Sequence, residues 1–407
     1  MKNRAVNQWP VVLGTIIVQM GLGTIYTWSL FNQPLAGKFG WNLSSVAITF
    51  SITSFALALS TLVAGRLQDK WGIRKLITLA GVLLGIGLML SSLISSLPML
   101  YLLAGVVVGF ADGTAYITSL SNLIKWFPER KGLISGISVS AYGMGSLIFK
   151  YINAGLIQSA GVSRAFLYWG IIVLFMVVAG ARLLREPVTN EVSPEAIHQN
   201  KSNYTVREML HTRQVYLLFI MFFTACMSGL YLISIVKDIG VLLAGLDVGA
   251  AANAVAMIAI FNTVGRLILG ALSDKVGRLK VVAFTFIVTA AAVLALSFVH
   301  LNYAIFFICV ASIAFCFGGN ITVFPAIVGD FFGMKNHSKN YGIVYQGFGL
   351  GALSGSFIAA FMGGFKPTFI TIGTLCILSF LITISIKPPD RREGERGQKV
   401  KAHGRLV

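Results

Sequence analysis

Charge is what this sequence has least of. Charged residues make up 11% of its 407 residues, where a soluble chain carries roughly 25%. Apolar residues make up 56%, and that imbalance excludes a soluble enzyme, a disordered chain and a nucleic-acid-binding domain. The net charge of +18 does not restore a nucleic-acid reading. The cations fall in short breaks between apolar stretches, where they set topology in a membrane. Cysteine is scarce as well. Cys226, Cys309, Cys316 and Cys376 lie in apolar stretches without metal-ligand spacing, and read as small buried apolar residues. The sequence has no nucleotide-binding Gly-rich lysine loop, no metal-ligand cluster and no hydrolase triad. The expectation is therefore no enzyme, no cofactor and no metal.

What is present is a series of long apolar stretches. They lie at roughly 10–32, 43–65, 76–96, 98–124, 132–155, 165–184, 214–236, 249–272, 279–300, 303–328, 340–362 and 367–386. A membrane-crossing helix needs about 20 apolar residues, so the expected fold is an all-α membrane protein with twelve transmembrane helices. Residues 20–32 lack a small-x-small cleavage pattern, so the first span is expected to be retained rather than removed as a signal peptide. The 43 glycines suit close packing of membrane helices.

The longest hydrophilic break runs from about Arg185 to Arg213 and parts the spans six and six. The expected domains are a six-helix bundle at 1–185, a cytoplasmic loop at 186–213, a second bundle at 214–386 and a basic cytoplasmic tail at 387–407. With the N-terminus inside, the outer loops hold Lys38, Lys150, Arg164, Lys237 and Lys366, and Arg266 lies within a span. The rest of the 32 Lys and Arg then lie inside, which places both termini in the cytoplasm and the chain in the plasma (inner) membrane. The tail is expected to be solvated or to touch anionic lipid.

The two halves repeat one another. After span 2 comes Gly65-Arg-Leu-Gln-Asp69-Lys70-Trp-Gly72-Ile-Arg-Lys75. After span 8 comes Gly270-Ala-Leu-Ser-Asp274-Lys275-Val-Gly277-Arg-Leu-Lys280, with matching positions 205 residues apart. A weaker echo pairs Tyr142-Gly-Met-Gly145 with Phe348-Gly-Leu-Gly351. A glycine at a helix end admits a close neighbour, and an aspartate is favoured at a helix N-terminus. The pattern reads as a latch that stabilises one state of a rocking bundle, against the plainer reading of a topology-setting basic loop.

Only Arg266 and Asp112 are ionisable side chains well inside spans. A charge at a helix centre costs roughly 2.5–3.5 kcal/mol, so each needs a partner or water. Arg266 shares a helix face with Asn262 at i and i+4, and its guanidinium fork matches a carboxylate. Charge alone leaves two readings open: a carboxylate receptor oriented by Asn262, or a structural ion pair with Asp112 or a backbone carbonyl. Asp112 has Tyr116 one turn on. Burial favours the neutral form of a carboxyl group, which suits a proton carrier, with a structural acid as the rival reading.

The doubled Gly-x-x-x-Asp-Lys-x-Gly in a six-plus-six chain resembles the major facilitator superfamily. The resemblance implies two six-helix bundles around a central cavity lined by spans 1, 2, 4, 5, 7, 8, 10 and 11, with transport by rocking. Further stretches narrow the likeness: Gly23-Thr-Ile-Tyr26-Thr-Trp28-Ser-Leu-Phe31, Lys125-Trp-Phe-Pro-Glu-Arg-Lys-Gly132, Asn262-Thr-Val-Gly-Arg266, Phe331-Phe-Gly and Lys339-Asn-Tyr-Gly342. Together they resemble the oxalate/formate antiporter family, which overlaps with bacterial monocarboxylate transporters. The likeness extends to the enterobacterial pyruvate transporters of that group.

That resemblance implies that Arg266 binds a substrate carboxylate. It also implies an aromatic cage, for which Tyr26, Trp28, Tyr116, Tyr142, Phe324, Tyr345 and Phe348 are candidates. In one respect the chain departs from the family. Its oxalate carriers have a lysine in span 11 where this chain has Phe348. The expected function is a carrier of a small monocarboxylate such as pyruvate or lactate, coupled to protons, with the protein monomeric. Oxalate/formate-type exchange and a non-transporting carboxylate sensor are the alternatives. Pro325 in span 10 is read as either a gate or a packing kink.

Overall fold

A computed structural model describes residues 8–187, 203–362 and 364–389. The expected tail beyond Pro389 and most of the expected central loop, 188–202, lie outside the described residues. Every regular element among those described is a helix, as the apolar runs require: without water, a helix satisfies its own backbone polar groups. Ten helices among the described residues are long and apolar enough to cross a membrane. One of them, Lys131–Leu183, turns at Gly161, where φ is 79°, and so supplies spans 5 and 6. The pair His337–Val344 and Gln346–Met362, divided at Tyr345, supplies span 11. The fold is therefore all-α with twelve spans.

The chain divides into two compact units. One is Met1–Pro128 with Ile137–Pro187, and the other is Glu129–Gly136 with Val188–Val407. The first holds spans 1–4, most of span 5, and span 6. The second holds spans 7–12 and the first turn of span 5.

In the first unit, span 1 runs through Trp9–Gly23 and then breaks into a 3₁₀ turn at Thr24–Thr27 before Ser29–Phe39. The break has local causes. Thr24 and Thr27 hydroxyls bond back to the carbonyls of Gly21 (2.8 Å) and Thr24 (2.7 Å), which competes with helix propagation. Trp169 then donates to Thr24 Oγ1 at 2.9 Å, and Asn153 to Thr27 Oγ1 at 2.8 Å. Tyr26 rides on this fixed turn. Span 4 opens with a short α-helix, Leu97–Leu100, and widens into a π-helical segment, Tyr101–Val107, before the α-helix Val108–Trp126 that carries Asp112. The Ala104 carbonyl in the wide segment accepts from Thr53 Oγ1 of span 2 at 3.1 Å. Such segments recur near functional sites.

The two motif copies are not loops. Helix Leu43–Trp71 continues through Asp69 and Lys70, and Gly72 alone separates it from Ile73–Leu90. Likewise Val248–Val276 continues through Asp274 and Lys275, and Gly277 alone separates it from Arg278–Phe298. A polar turn is free to stay helical once it leaves the hydrocarbon, so the helix outlasts the apolar run. Gly72 (φ 74°) and Gly277 (φ 106°) have positive φ, open to glycine at little cost.

Span 7 also outruns its expected end and reaches Leu242. Within the expected central loop, Val206–Leu210 forms a short helix with a Thr205–Glu208 capping box. The residues before it dock on the turn between spans 10 and 11. Tyr204 donates its backbone N–H to the Phe332 carbonyl (2.9 Å), and the Tyr204 carbonyl accepts from Asn336 and Asn340 side chains (2.9 and 3.0 Å). Pro325 lies within the unbroken helix Tyr303–Phe332 of span 10. His337 Nε2 is 2.8 Å from the Pro325 carbonyl oxygen. All four cysteines are buried and free.

Candidate functional site

Only one acid, Asp112, and one strong base, Arg266, are buried among the described residues, at 0% and 6% exposure. Each lies in a different unit.

In the first unit, Asp112 lies in the α-helical part of span 4, and the Tyr142 hydroxyl of span 5 donates to its Oδ1 at 3.2 Å. Asp112 Oδ2 has no hydrogen-bond partner among the described residues. Tyr142 is central to a group of rings. Tyr26 meets it edge-on with centroids 5.3 Å apart, and Tyr116 does so at 5.6 Å. Tyr26 also leans on Phe50 of span 2 at 5.9 Å. The close approach of spans 1 and 5 depends on Gly23, which lies against the Tyr142 carbonyl where a Cβ would collide. The structure thus brings together Asp112, Tyr116, Tyr142 and Tyr26. Trp28 is elsewhere: it packs with Phe31 and Phe166 (6.2 and 5.9 Å) in an aromatic core that includes Trp169. Phe50 was not foreseen, because an isolated phenylalanine in an apolar span resembles any lipid-facing one.

In the second unit, Arg266 and Asn262 are both buried on span 8. Asn262 Nδ2 donates across to the Ala314 carbonyl of span 10 at 3.3 Å. Spans 8 and 10 touch here through Gly265 and Gly318, each pressed on the other helix's backbone. Beside these helices, Phe324 of span 10 meets Phe222 of span 7 at 4.8 Å. Phe222 in turn meets Tyr345 at 5.9 Å and Tyr341 at 6.2 Å. Tyr345 stacks on Phe348 at 5.1 Å with a 17° interplanar angle. Phe324, Tyr345 and Phe348 therefore belong to one aromatic group. Phe222 and Tyr341 complete it without having been foreseen: Phe222 has no neighbouring charge or motif, and Tyr341 stands in Lys339-Asn-Tyr-Gly342, a stretch that carried the family likeness but pointed to no cage role.

The second motif copy anchors a charged cluster. Asp274 accepts from the backbone N–H groups of Gly132 (2.9 Å) and Leu133 (2.8 Å), the first turn of span 5. An aspartate at a helix N-terminus is favoured by the free donors and the helix dipole. Arg278 bridges Asp274 (2.9 Å) to Asp330, and Lys131 closes the set on Asp330 at 2.8 Å. Gly132 and Gly270 each lie against the other's carbonyl oxygen, so the motif glycine permits this approach. Lys275 is exposed, as are Asp69 and Lys70 in the first copy, while Gly65 and Gly270 are buried. The copies differ at one telling position: Arg278 in the second is matched by Ile73 in the first. Arg278 was legible as an i, i+4 partner of Asp274. Lys131 and Asp330 were not, being far apart in sequence.

A sequence model of the Major Facilitator Superfamily matches residues 11–262 and 233–405. The chain is 47% identical to an uncharacterized MFS-type transporter, YhjX, of Escherichia coli (strain K12), over 85% of this chain and 86% of that protein. It is 27% identical to the oxalate:formate antiporter of Oxalobacter formigenes, over 98% of this chain and 96% of that protein. Among solved structures, the proton:xylose symporter XylE superposes with a TM-score of 0.70 at 13% identity, covering 93% of this chain and 95% of that one. These relatives are transporters, and neither enzymes nor sensors.

Proposed function

The chain belongs to the major facilitator superfamily, a multi-pass membrane transporter, and on that premise we propose that it carries a small monocarboxylate of the pyruvate and lactate class, coupled to protons, by alternating access. The observation that carries this reading is the count of buried charges: Arg266 is the only buried lysine or arginine among the described residues.

A guanidinium is permanently charged and holds a carboxylate through two parallel hydrogen bonds. One fixed cation neutralises one carboxylate. The other end of the substrate then meets the aromatic group of Phe324, Tyr345 and Phe348 in the same unit, which suits a methyl or hydroxyalkyl end. Oxalate would bring a second charge to a wall where Phe348 replaces the lysine of the resembling oxalate carriers. Asp112, buried beside Tyr142, is the proton carrier in this reading. The cluster of Asp274, Arg278, Asp330 and Lys131 holds one end state and must open in the cycle.

Exchange of the oxalate:formate kind is the second reading, favoured by the whole-length likeness to that antiporter. In either case the protein acts as a monomer in the plasma membrane with cytoplasmic termini, the orientation that the distribution of Lys and Arg supports. The test is uptake by the purified protein in proteoliposomes of labelled pyruvate, lactate, formate and oxalate, with and without a pH gradient. Accumulation of pyruvate or lactate driven by an inward proton gradient is the expected result. Oxalate–formate counterflow that ignores the gradient would replace this reading with the second.

A further inference from the structure

We infer that His337 is the positioning residue of the aromatic group: its ring ties Pro325 of span 10 to Tyr341 of span 11, and so sets where Phe324, Tyr345 and Phe348 stand for the apolar end of a substrate. This rests on the carrier reading above, and every residue in it lies in the second unit. His337 is wholly buried at the start of span 11. Its Nε2 is 2.8 Å from the Pro325 carbonyl oxygen. A carbonyl only accepts, so Nε2 carries a proton and donates it. The neutral ring in that tautomer and the cationic ring both supply this N–H, so the bond does not depend on the charge of the ring. The same ring stacks on Tyr341, with centroids 5.9 Å apart and planes at 24°.

Both ends of this tie reach the aromatic group. On span 11, His337, Tyr341, Tyr345 and Phe348 recur at helical spacing along one face. Tyr345, where the span divides, keeps helical φ and ψ of −64° and −16°, so the face is continuous. Tyr341 meets Tyr345 edge-on at 5.5 Å, and Tyr345 stacks on Phe348. On span 10, Pro325 directly follows Phe324. Phe324 meets Phe222, and Phe222 returns to Tyr341 and Tyr345.

Span 10 needs such a hold. Proline has no N–H, so the carbonyl one turn earlier, at Ile321, loses its helical donor and the helix is loosened where Phe324 stands. Gly329, one turn after Pro325, admits the ring: a Cβ there would lie 2.7 Å from Met334 Sδ and 3.4 Å from His337 Cδ2. A residue that only filled this space could be a phenylalanine. What His337 adds is a donor on the Pro325 carbonyl. With that bond, Phe324 and the span 11 rings keep one spacing. Without it, span 10 relaxes by itself and the wall that faces the substrate's apolar end is out of place.

The measurement is uptake of labelled pyruvate in proteoliposomes, with unlabelled formate as competitor. Formate has a carboxylate for Arg266 and no apolar end for the aromatic group. His337→Phe keeps a ring and loses the donor. It should raise KM for pyruvate about fivefold, the worth of one hydrogen bond, and leave kcat and the formate inhibition constant unchanged. A contact made equally in the ground and transition states is lost in this way. His337→Gln returns a neutral donor to the site and should bring KM back toward that of the parent. Tyr341→Leu breaks the next link and should repeat the pattern of His337→Phe, a check that does not depend on His337→Phe folding. A histidine that served stability alone would lower the amount of active protein, and with it kcat, at the parent's KM. That result from either variant overturns the inference, as does a Gln variant no better than the Phe one. A formate constant that rises with KM also overturns it, because the damage then reaches Arg266. A parent that carries neither pyruvate nor lactate overturns the carrier reading and this inference with it.

Discussion

A lysine in place of Arg266 keeps the charge and loses the fork. Arg266→Lys is therefore expected to raise KM for pyruvate about tenfold, the worth of one charge-assisted hydrogen bond. Arg266→Ala is expected to abolish uptake while the protein still inserts, and normal uptake by that variant in reconstituted vesicles would contradict its role. Asp112→Asn should lose pH-driven accumulation and retain counterflow exchange; an Asn variant that accumulates as well as the parent would make Asp112 structural. Arg266 and Asp112 were legible in the sequence because a charge inside an apolar run is costly and so stands out. Phe222 and Tyr341 were not. Among 29 Phe and 12 Tyr, most serve lipid or helix contacts, and only the fold shows which rings face one another. Trp28 shows the converse: its place beside Tyr26 in sequence put it with the site, and the 3₁₀ turn carries it into the core with Phe31 and Phe166.

Helices, as elements, were legible from hydropathy, and their ends were not. Leu43–Trp71 and Val248–Val276 extend past the apolar runs, because hydropathy records the hydrocarbon and hydrogen bonding continues beyond it. The single-residue breaks at Gly72 and Gly277 are where the motif glycines act. A Cβ at either glycine would meet no atom within 4 Å, so Gly277→Ala adds strain without a clash. It should cost about 1–2 kcal/mol, read as a lower melting temperature; an unchanged melt would mean that the turn relaxes. The charged cluster around Asp274, proposed as a latch, belongs to this scale too. Asp274→Ala removes the cap of span 5 and an ion pair to Arg278, and should slow transport severalfold with little change in KM. Lys275→Ala, at an exposed position, should leave the rate as it was. Equal effects from the two would reduce the motif to a topology signal.

For the molecule as a whole, the six-plus-six division and the repeat were legible because both halves place the same glycines and aspartate at the same helix ends. Substrate choice was less so, since it depends on which side chains surround one charge. In the proposed reading, one buried guanidinium among the described residues, with Phe348 in the aromatic group, is expected to select monoanions, because a second carboxylate would be buried without a partner. Phe348→Lys should shift preference toward dianions, and competition assays on that variant check it. The most direct test of the central claim is displacement of labelled pyruvate from the purified parent protein by unlabelled lactate and by unlabelled oxalate. Lactate should compete about a hundredfold better than oxalate, a difference of about 3 kcal/mol. Oxalate displacing pyruvate as well as lactate does would contradict recognition by one cation.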